Sequence, residues 1–232
     1  MFTFIFYILW KQLLLLLKIY AMTLLETSDL IDSLYWITIL AVVVSSASGV
    51  LKAGSKQLDL FGVVIIAIAT GLGGGSLRDM LLDRPVFWIE DQIFFIASIT
   101  SAIAIFFIVR LLKISPQHFL IADAAGLAAF GVAGTLVSLI AGTPALTASF
   151  MGVMTGTMGG MFRDVLCNEQ PVVFSSSLYA TVSWLGSLIF IGLLHLNIDL
   201  TLSAISAGLI IFISRLFAIR YNIGLPKFKF KS

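Results

Sequence analysis

Two stretches of the sequence combine glycine with an arginine–aspartate pair inside apolar surroundings. They are "GLGGGSLRDMLL", from Gly71 to Leu82, and "GTMGGMFRDVLC", from Gly156 to Cys167. Glycine weakens a helix by about 1 kcal/mol relative to alanine, and a local unwinding would free backbone carbonyls that can replace part of the hydration shell of a cation. An intramembrane charge is costly and usually faces a cavity or a partner. The chemistry indicated is ion coordination along a lined pathway, and close helix packing through small residues is the alternative.

Other residue types that carry chemistry form no recognisable site. Cys167 is the single cysteine, so the sequence offers no disulfide and no multi-cysteine metal site. His118 and His195 fall in loops at predicted helix ends, and no cluster of His, Cys and Glu accompanies them. The stretch "GLGGGS" lacks the lysine and the preceding strand of a phosphate-binding loop, and no nucleophile–base arrangement is present. We therefore predict that the protein is not an enzyme and uses no cofactor or resident metal.

The composition indicates the solvent in which these residues lie. The chain has 232 residues, of which 59% are hydrophobic and 11% are charged, and its mean hydropathy is +1.09. Soluble domains carry about 25% charged residues, so this chain cannot cover a water-facing surface and belongs in a bilayer. The net charge of +2 is too small to suggest nucleic acid as a partner. Membrane lipid is the predicted surrounding.

Seven apolar segments approach the length of about 20 residues that a spanning helix needs. Short breaks with turn or charge signals separate them, which predicts one compact all-α membrane domain. The predicted spans are Asp32–Leu51, Leu58–Leu82, Ile93–Leu112, Phe119–Ala141, Leu146–Leu166, Phe174–Leu194 and Leu200–Ile219.

The two glycine stretches belong to an internal repeat. Arg78 and Arg163 are 85 positions apart (163 minus 78), and neighbouring residues match at the same offset over two successive helices. Pro85 matches Pro171 after one inserted residue. The matched pairs are Gly49 and Gly134, Thr70 and Thr155, Gly71 and Gly156, Gly74 and Gly159, Gly75 and Gly160, Arg78 and Arg163, Asp79 and Asp164, and Leu81 and Leu166.

The repeat period has a topological consequence. Each period holds three spans, an odd number, so the second copy must enter the membrane from the opposite side. This predicts an inverted repeat of three plus three helices with a seventh helix added, a design of transporters and some channels whose pathways lie at the repeat interface. The predicted organisation is an N-terminal extension at 1–31, the first repeat at 32–115, the inverted repeat at 116–197, the seventh span at 198–220 and a basic tail at 221–232.

The positive charges predict the orientation. Lys52, Lys56, Arg110, Lys113 and the C-terminal tail lie on one side, which the positive-inside rule makes cytoplasmic. Seven spans then place the segment before Asp32 outside. The first 21 residues fit this scheme poorly, because Lys11 and Lys18 interrupt their apolar run. They are either an interfacial helix or a stretch upstream of a true start at Met22, with an eighth span as a weaker alternative.

The intramembrane charges require partners. Arg78 and Asp79 are sequence neighbours that point about 100° apart on a helix, so we expect no simple pairing between them. Inversion would put Arg78 toward the outer side and Arg163 toward the cytoplasmic side. Each arginine is expected to pair with an acid on another helix or to cap freed carbonyls. The alternative is that both arginines reach to the membrane interfaces as anchors.

Asp123 is the other intramembrane acid, and its repeat mate is Thr38. It is predicted to attract cations or to receive Arg78 or Arg163, and the alternative is a carboxylate that the dipole at a helix start favours. Hydroxyls could line a polar route beside it, although serines also pack helices. The hydroxyl residues are Ser45, Ser46 and Ser48 on the first span and Thr70 and Thr155 beside the glycines.

The doubled "TG-x-x-GG-x-x-RD", with "DAAGLAAFGVAG" and "SASGVLKAG", closely resembles the bacterial UPF0126 proteins from about Asp32 to Arg220. These are prokaryotic relatives of the TRIC (trimeric intracellular cation) channels, and their sequence domain is also labelled a glycine-transporter domain. The resemblance implies a homotrimer with one potassium-conducting pore per subunit. It implies breaks at Gly73–Gly75 and Gly159–Gly160 in the second and fifth helices, which line the pore with the first and fourth. Met158 stands where the first copy has Gly73, so the second break is expected to be milder.

Two functions remain open, a passive channel for monovalent cations and an alternating-access carrier for glycine or a similar small solute. The resemblance favours the channel. The predicted location is the bacterial inner membrane. The candidate residues fall in two groups. Those of the ion pathway are Gly73, Gly74, Gly75, Gly159, Gly160, Thr70, Thr155, Ser45, Ser48 and Asp123. Those that set charge or gating are Arg78, Asp79, Arg163 and Asp164.

Overall fold

The computed structural model describes residues 32–112, 118–174 and 178–226. All regular structure in these residues is helical, which confirms the predicted all-α class. The first helix, α1, is Asp32–Lys56, and its last turn, Gly54–Lys56, is a 3₁₀ turn. The others are α2 Leu60–Leu81, α3 Phe87–Glu90, α4 Gln92–Leu112, α5 Phe119–Ile140, α6 Ala145–Leu166, α7 Ala180–His195 and α8 Leu200–Tyr221.

Five of these helices, α1, α2, α4, α5 and α8, are long and apolar enough to cross a membrane. Helix α7 is apolar but has 16 residues. Helix α6 has the length, but its threonines, glycines and the Arg163–Asp164 pair lower its hydropathy. Five of the seven predicted spans thus have the length and composition of a membrane-crossing helix. The seven-span count, with the spans at α6 and α7, stays a prediction.

The start of α7 corrects one predicted boundary. The span was expected from Phe174, but Phe174 closes a 3₁₀ turn, Val172–Phe174, and α7 begins at Ala180. Within the described residues, the Val172 amide donates to Asp164 Oδ2 and the Leu178 amide donates to the Ile223 carbonyl. The Leu178 amide therefore does not pair four residues back, and the described helix begins after it, at Ala180.

The chain divides into two compact units, residues 1–36 and residues 37–232. Of the first unit the structure describes only residues 32–36, within α1. The predictions for residues 1–31, and those for the end of the basic tail at 227–232, lie outside the described residues.

Helix α5 forms the centre of the second unit. It packs against α6, α7 and α8, while α2 packs against α4 and α6. Its buried face carries Gly126, Gly131 and Gly134 among small apolar residues. Small residues let helix backbones approach closely, and the resulting van der Waals packing is one of the forces that associate helices in lipid. The α2–α6 and α5–α6 contacts place the two glycine stretches in the interior.

Candidate functional site

Helices α2 and α6 cross at a reciprocal backbone contact. A Cβ on Gly74 would overlap the carbonyl oxygen of Thr155, and a Cβ on Gly159 would overlap the carbonyl oxygen of Thr70. Both glycines and both threonines are repeat mates. From Thr70 forward to Gly74 the partner in α6 moves backward from Gly159 to Thr155, so the helices run antiparallel at the crossing. This two-fold relation agrees with an inverted repeat.

The predicted helix breaks are wrong. Helix α2 runs without interruption through Gly73–Gly75, and α6 runs without interruption through Gly159–Gly160. Gly74 and Gly159 are required because a side chain there would collide with the facing backbone. Close helix packing, the alternative to a lined pathway, therefore explains these two glycines. Because both helices are continuous, their carbonyls stay in the helical hydrogen bonds. The expectation of a milder second break at Met158 is therefore also wrong.

The remaining candidate glycines have different neighbours. Gly73 faces the Phe162 ring of α6, and Gly75 faces the Phe87 ring of α3. Gly160, the mate of Gly75, faces polar atoms instead. A Cβ on it would lie 3.2 Å from the Tyr179 hydroxyl, 3.4 Å from Asp123 Oδ1 and 3.5 Å from Arg163 Nη2. An aromatic ring therefore covers Gly75 in the first repeat, whereas polar groups surround Gly160 in the second.

The candidate threonine hydroxyls bond within their own helices. Thr70 Oγ1 donates to the Ile66 carbonyl at 2.6 Å, and Thr155 Oγ1 donates to the Met151 carbonyl at 2.7 Å. A Cβ on Gly49 or on its mate Gly134 would lie too close to the facing threonine Oγ1. These hydroxyls therefore pack α2 and α6 onto the neighbouring helices, and their hydrogens are already used.

Each arginine pairs with the aspartate that follows it, so the expectation that they do not pair is wrong. Arg78 Nε donates to Asp79 Oδ1 at 2.9 Å, and Arg163 Nε donates to Asp164 Oδ1 at 2.9 Å. The Cβ atoms diverge, but the long arginine side chain curls back to the nearest acid. A buried charge without water gains most from such a partner.

The same aspartates tie the helix ends to the segments that follow. Asp79 Oδ2 accepts from the Phe87 amide at 3.1 Å, and Asp164 Oδ2 accepts from the Val172 amide at 2.9 Å. Phe87 and Val172 are again 85 positions apart. Each Arg-Asp pair is therefore a repeated structural unit that orients the chain beyond α2 or α6.

The second repeat carries a larger ionic network. Arg163 Nη1 donates to Asp123 Oδ1 at 2.6 Å and to Ser48 Oγ at 3.1 Å, and Ser48 Oγ donates to the Ser45 carbonyl at 2.8 Å. Of the alternatives that the sequence left open for Asp123, the structure shows the pairing with Arg163, which joins α1, α5 and α6. The Arg163 and Arg78 side chains are 0% and 3% exposed, so the interface-anchor alternative is wrong.

Three atoms of these clusters are buried without a hydrogen-bond partner in the described protein, Arg78 Nη1, Arg163 Nη2 and Asp123 Oδ2. Buried polar groups are satisfied in most native structures, by protein or by ordered water. An unpaired guanidinium nitrogen and an unpaired carboxylate oxygen therefore lie within one network, on Arg163 and Asp123. Such a pair is complementary to a molecule that both accepts and donates a hydrogen bond.

Sequence reasoning missed Tyr179 and Arg215 as members of this network. Tyr179 hydrogen-bonds Asp123, and the Arg215 guanidinium lies 4.5 Å from the centroid of the Tyr179 ring. Arg215 is fully buried on α8. The signal that could have indicated Arg215 is an arginine inside an otherwise apolar span.

A third charged group joins the ends of α1 and α6. Lys52 and Lys56 both pair with Glu169, which follows α6. The hydrogen bond from Lys52, with a second from Lys56, holds the pKa of Glu169 below its usual value. The Phe119 ring lies under both Lys52 and Arg163, 4.6 Å and 5.3 Å from its centroid.

Among the described residues, no group of three or more His, Cys, Asp or Glu could hold a metal ion.

Comparison with known proteins places these residues in a family. The profile of the family described as "Glycine transporter" matches residues 35–110 and 120–195. The UPF0126 inner membrane protein YadS of Escherichia coli (strain K12) is 34% identical over 197 residues, which cover 84% of this chain and 95% of that protein. A UPF0126 membrane protein of Vibrio cholerae is 38% identical over 205 residues, 88% of this chain and 86% of that protein. The chain belongs to the UPF0126 family.

Solved structures extend this result to the fold. The UPF0126 chain is similar to the TRIC trimeric intracellular cation channel orthologue from Rhodobacter sphaeroides, with a TM-score of 0.78, 31% identity and coverage of 82% of this chain and 98% of that one. A TRIC cation channel studied for its conductance matches with a TM-score of 0.75, 28% identity and coverage of 84% and 97%. The predicted membership of the UPF0126 and TRIC group is thereby confirmed.

The two matches to the glycine-transporter profile contain different parts of the network in this UPF0126 protein. The first match contains Thr70, Gly74 and Arg78, and the second contains their mates, so the glycine crossing joins the two family units. Arg215 lies outside both matches. The part of the network on α8 is therefore additional to the repeated unit.

Proposed function

We propose that this protein is a TRIC-like channel for monovalent cations, potassium above all, with one pathway in each subunit. The observation that carries the proposal is the similarity of the chain to TRIC cation channels over 97–98% of their lengths at 28–31% identity. The pathway would run along α2 and α6, with α1 and α5 contributing Ser45, Ser48 and Asp123.

The crossing of α2 and α6 is the natural position of a gate in this proposal. Gly74 and Gly159 have no room for even a Cβ against the facing carbonyls, so an ion cannot pass between them. Conduction through this level requires the two helices to separate. Separation would free the contact surfaces of Thr70 and Thr155, where backbone carbonyls are closest to the partner helix.

The arginines would set the electric field at the two ends of the crossing. Among the residues that the structure describes, Arg78 pairs with one acid, Asp79, whereas Arg163 pairs with two, Asp164 and Asp123. A fixed positive charge keeps a cation from binding too tightly, and conduction needs binding weak enough for release. Asp123, with its unpaired Oδ2, would supply the opposing attraction.

The assembly and placement complete the proposal. We propose a homotrimer in the bacterial inner membrane, because one matched structure is a trimeric channel orthologue and one relative is an inner membrane protein. The C-terminus would lie in the cytoplasm and the N-terminus outside, following the positive charges of the loops.

The test is a recording from the purified full chain in planar bilayers under a potassium gradient. Cation-selective single-channel currents are expected, with a reversal potential near that of potassium. The matched variants are Gly159→Ala, which should alter opening, and Gly192→Ala, where a Cβ meets nothing within 4 Å and currents should stay unchanged. Bilayers that show no current beyond those of protein-free bilayers would contradict the channel.

A carrier for glycine or a similar small solute is the second candidate. The observation favouring it is the unpaired Arg163 Nη2 and Asp123 Oδ2 in one buried network, which are complementary to a carboxylate and an ammonium group. Liposomes containing the same protein would then take up labelled glycine saturably, and Asp123→Asn would abolish that uptake. Uptake equal to that of protein-free liposomes removes this candidate.

A further inference from the structure

Helix α8 reaches the second ionic network although it belongs to neither repeat. Arg215 Nη1 donates to the Leu178 carbonyl at 3.1 Å, and the Leu178 amide donates to the Ile223 carbonyl at 3.0 Å. Both backbone groups of Leu178 are therefore held by α8 and the residues that follow it. The chain just before α7 is fixed relative to the end of α8.

Tyr179 transmits this placement to the network. Its ring lies against the Arg215 guanidinium, and its hydroxyl bonds Asp123. Tyr179 is 3% exposed, so neither contact competes with bulk water. A continuous series of contacts leads from Arg215 through Tyr179 and Asp123 to Arg163.

The residues described for the first repeat differ at two positions of this series. The Phe87 ring covers Gly75 there, and Thr38 stands at the position that matches Asp123. A buried arginine is an expensive way to pack a helix, because apolar residues of similar volume often stabilise as well or better. Arg215 is fully buried on α8, and its guanidinium contacts the Leu178 carbonyl and the Tyr179 ring, so its contribution is a specific geometry as well as packing.

We propose that Arg215 is a positioning residue for the proposed cation pathway, acting through Tyr179 to hold Asp123 on Arg163. This rests on the proposed channel function and goes beyond it by assigning α8 control over the second half of the pathway. A movement of α8 would withdraw Tyr179, loosen Asp123 and change how often the pathway opens. The first half, around Arg78, would not respond.

The experiment compares Tyr179→Phe, Arg215→Gln and their double variant in the full chain, with Arg220→Gln as the matched control. Arg220 is an exposed arginine on the same helix. Each single variant should change the open probability by about threefold or more, and the double variant should change it no further than the larger single, since coupled sites are not additive. Tyr179→Phe keeps the ring and most of the packing, so its melting temperature should remain close to that of the wild type.

A second readout separates this proposal from the channel itself. Hydrogen exchange over residues 163–172, which are the last turn of α6 and the residues that follow it, should be faster in Arg215→Gln and Tyr179→Phe but not in Arg220→Gln. A wild type without currents would overturn the channel function, and the exchange would then still decide the role of Arg215. Wild-type opening and wild-type exchange in both single variants, or fold-changes that multiply in the double variant, would overturn the positioning role. If Arg215→Gln does not fold, Arg215→Lys replaces it, because an ammonium lacks the plane that stacks on Tyr179.

Discussion

Gly74 of α2 lies against the backbone carbonyl of Thr155 in α6, with no space between them for a methyl group. The same contact recurs with the helices exchanged, at Gly159 and Thr70. One sequence repeat has thus produced one interface used twice, as two-fold symmetry requires. At the crossing the backbones of α2 and α6 are in direct contact, with no side chain between them.

Alanine at either crossing glycine should therefore destabilise the protein. Gly74→Ala and Gly159→Ala force the helices apart, and overpacking typically costs about 1–3 kcal/mol. The two variants should lose similar amounts, because their surroundings are related by the repeat. Thermal unfolding in detergent measures this.

The controls for that comparison are Gly192→Ala and Gly208→Ala, where a Cβ meets nothing within 4 Å. They should be neutral or stabilising by up to about 1 kcal/mol, the difference in helix propensity. Equal melting temperatures for all four variants would contradict the close contact.

The Glu169 ion pairs predict a pH dependence of stability. Lys52 and Lys56 lower the pKa of Glu169 in the folded protein, so its contribution is present above the unfolded pKa. The contribution is lost as the pH falls below about 4.3, the ordinary value for glutamate, and through the lower folded pKa. The effect is small because the side chain is 33% exposed.

Melting temperatures of the wild type and of Glu169→Gln, measured from pH 7 to pH 3, check this. The wild type should be the more stable at neutral pH, and the two curves should converge at the acid end. Glu90→Gln is a control for general charge effects, since Glu90 ends the short helix α3. A gap that persists unchanged to pH 3 would exclude the ion pairs as its source.

The sequence predicted correctly which residues of the two repeats are equivalent, but it predicted helix breaks at the glycines where the structure has close packing. The offset of 85 residues predicted that Gly74 and Gly159 are equivalent. The need of a buried charge for a partner made Arg163 one of the partners expected for Asp123, but the sequence did not choose between Arg163, Arg78 and a bound cation. Glycine both weakens a helix and permits close approach, so only the facing backbone of Thr155 or Thr70 decides between these effects.

Other features depend on information that the sequence does not carry locally. Whether Arg163 curls back to Asp164 depends on its rotamer and on the space around it. The role of Arg215 depends on the rotation of α8, which sets whether the guanidinium faces lipid or Tyr179. The start of α7 at Ala180 is accompanied by the bond that the Leu178 amide makes to the distant Ile223 carbonyl, which local sequence does not reveal.

The oligomeric state is a separate prediction. We expect a homotrimer, because the matched Rhodobacter sphaeroides orthologue is a trimeric channel. Native mass measurement in mild detergent and cross-linking in intact membranes should both give a species of three chains. Monomers or dimers alone, in both measurements, would contradict it.

Substitutions of the two arginines should have unequal effects, although the arginines are repeat mates. Arg163→Ala leaves Asp164 and Asp123 without their buried cation, whereas Arg78→Ala strands only Asp79. Breaking a buried ion pair costs about 3–5 kcal/mol, so Arg163→Ala should lose more stability and alter conductance or open probability more strongly. Arg163→Lys should recover only part of the loss, since an ammonium lacks the guanidinium fork that contacts Asp164, Asp123 and Ser48 together. Single-channel recording and thermal unfolding of the three variants measure this. Wild-type currents in Arg163→Ala would remove Arg163 from the pathway, and full rescue by lysine would mean that its charge alone matters.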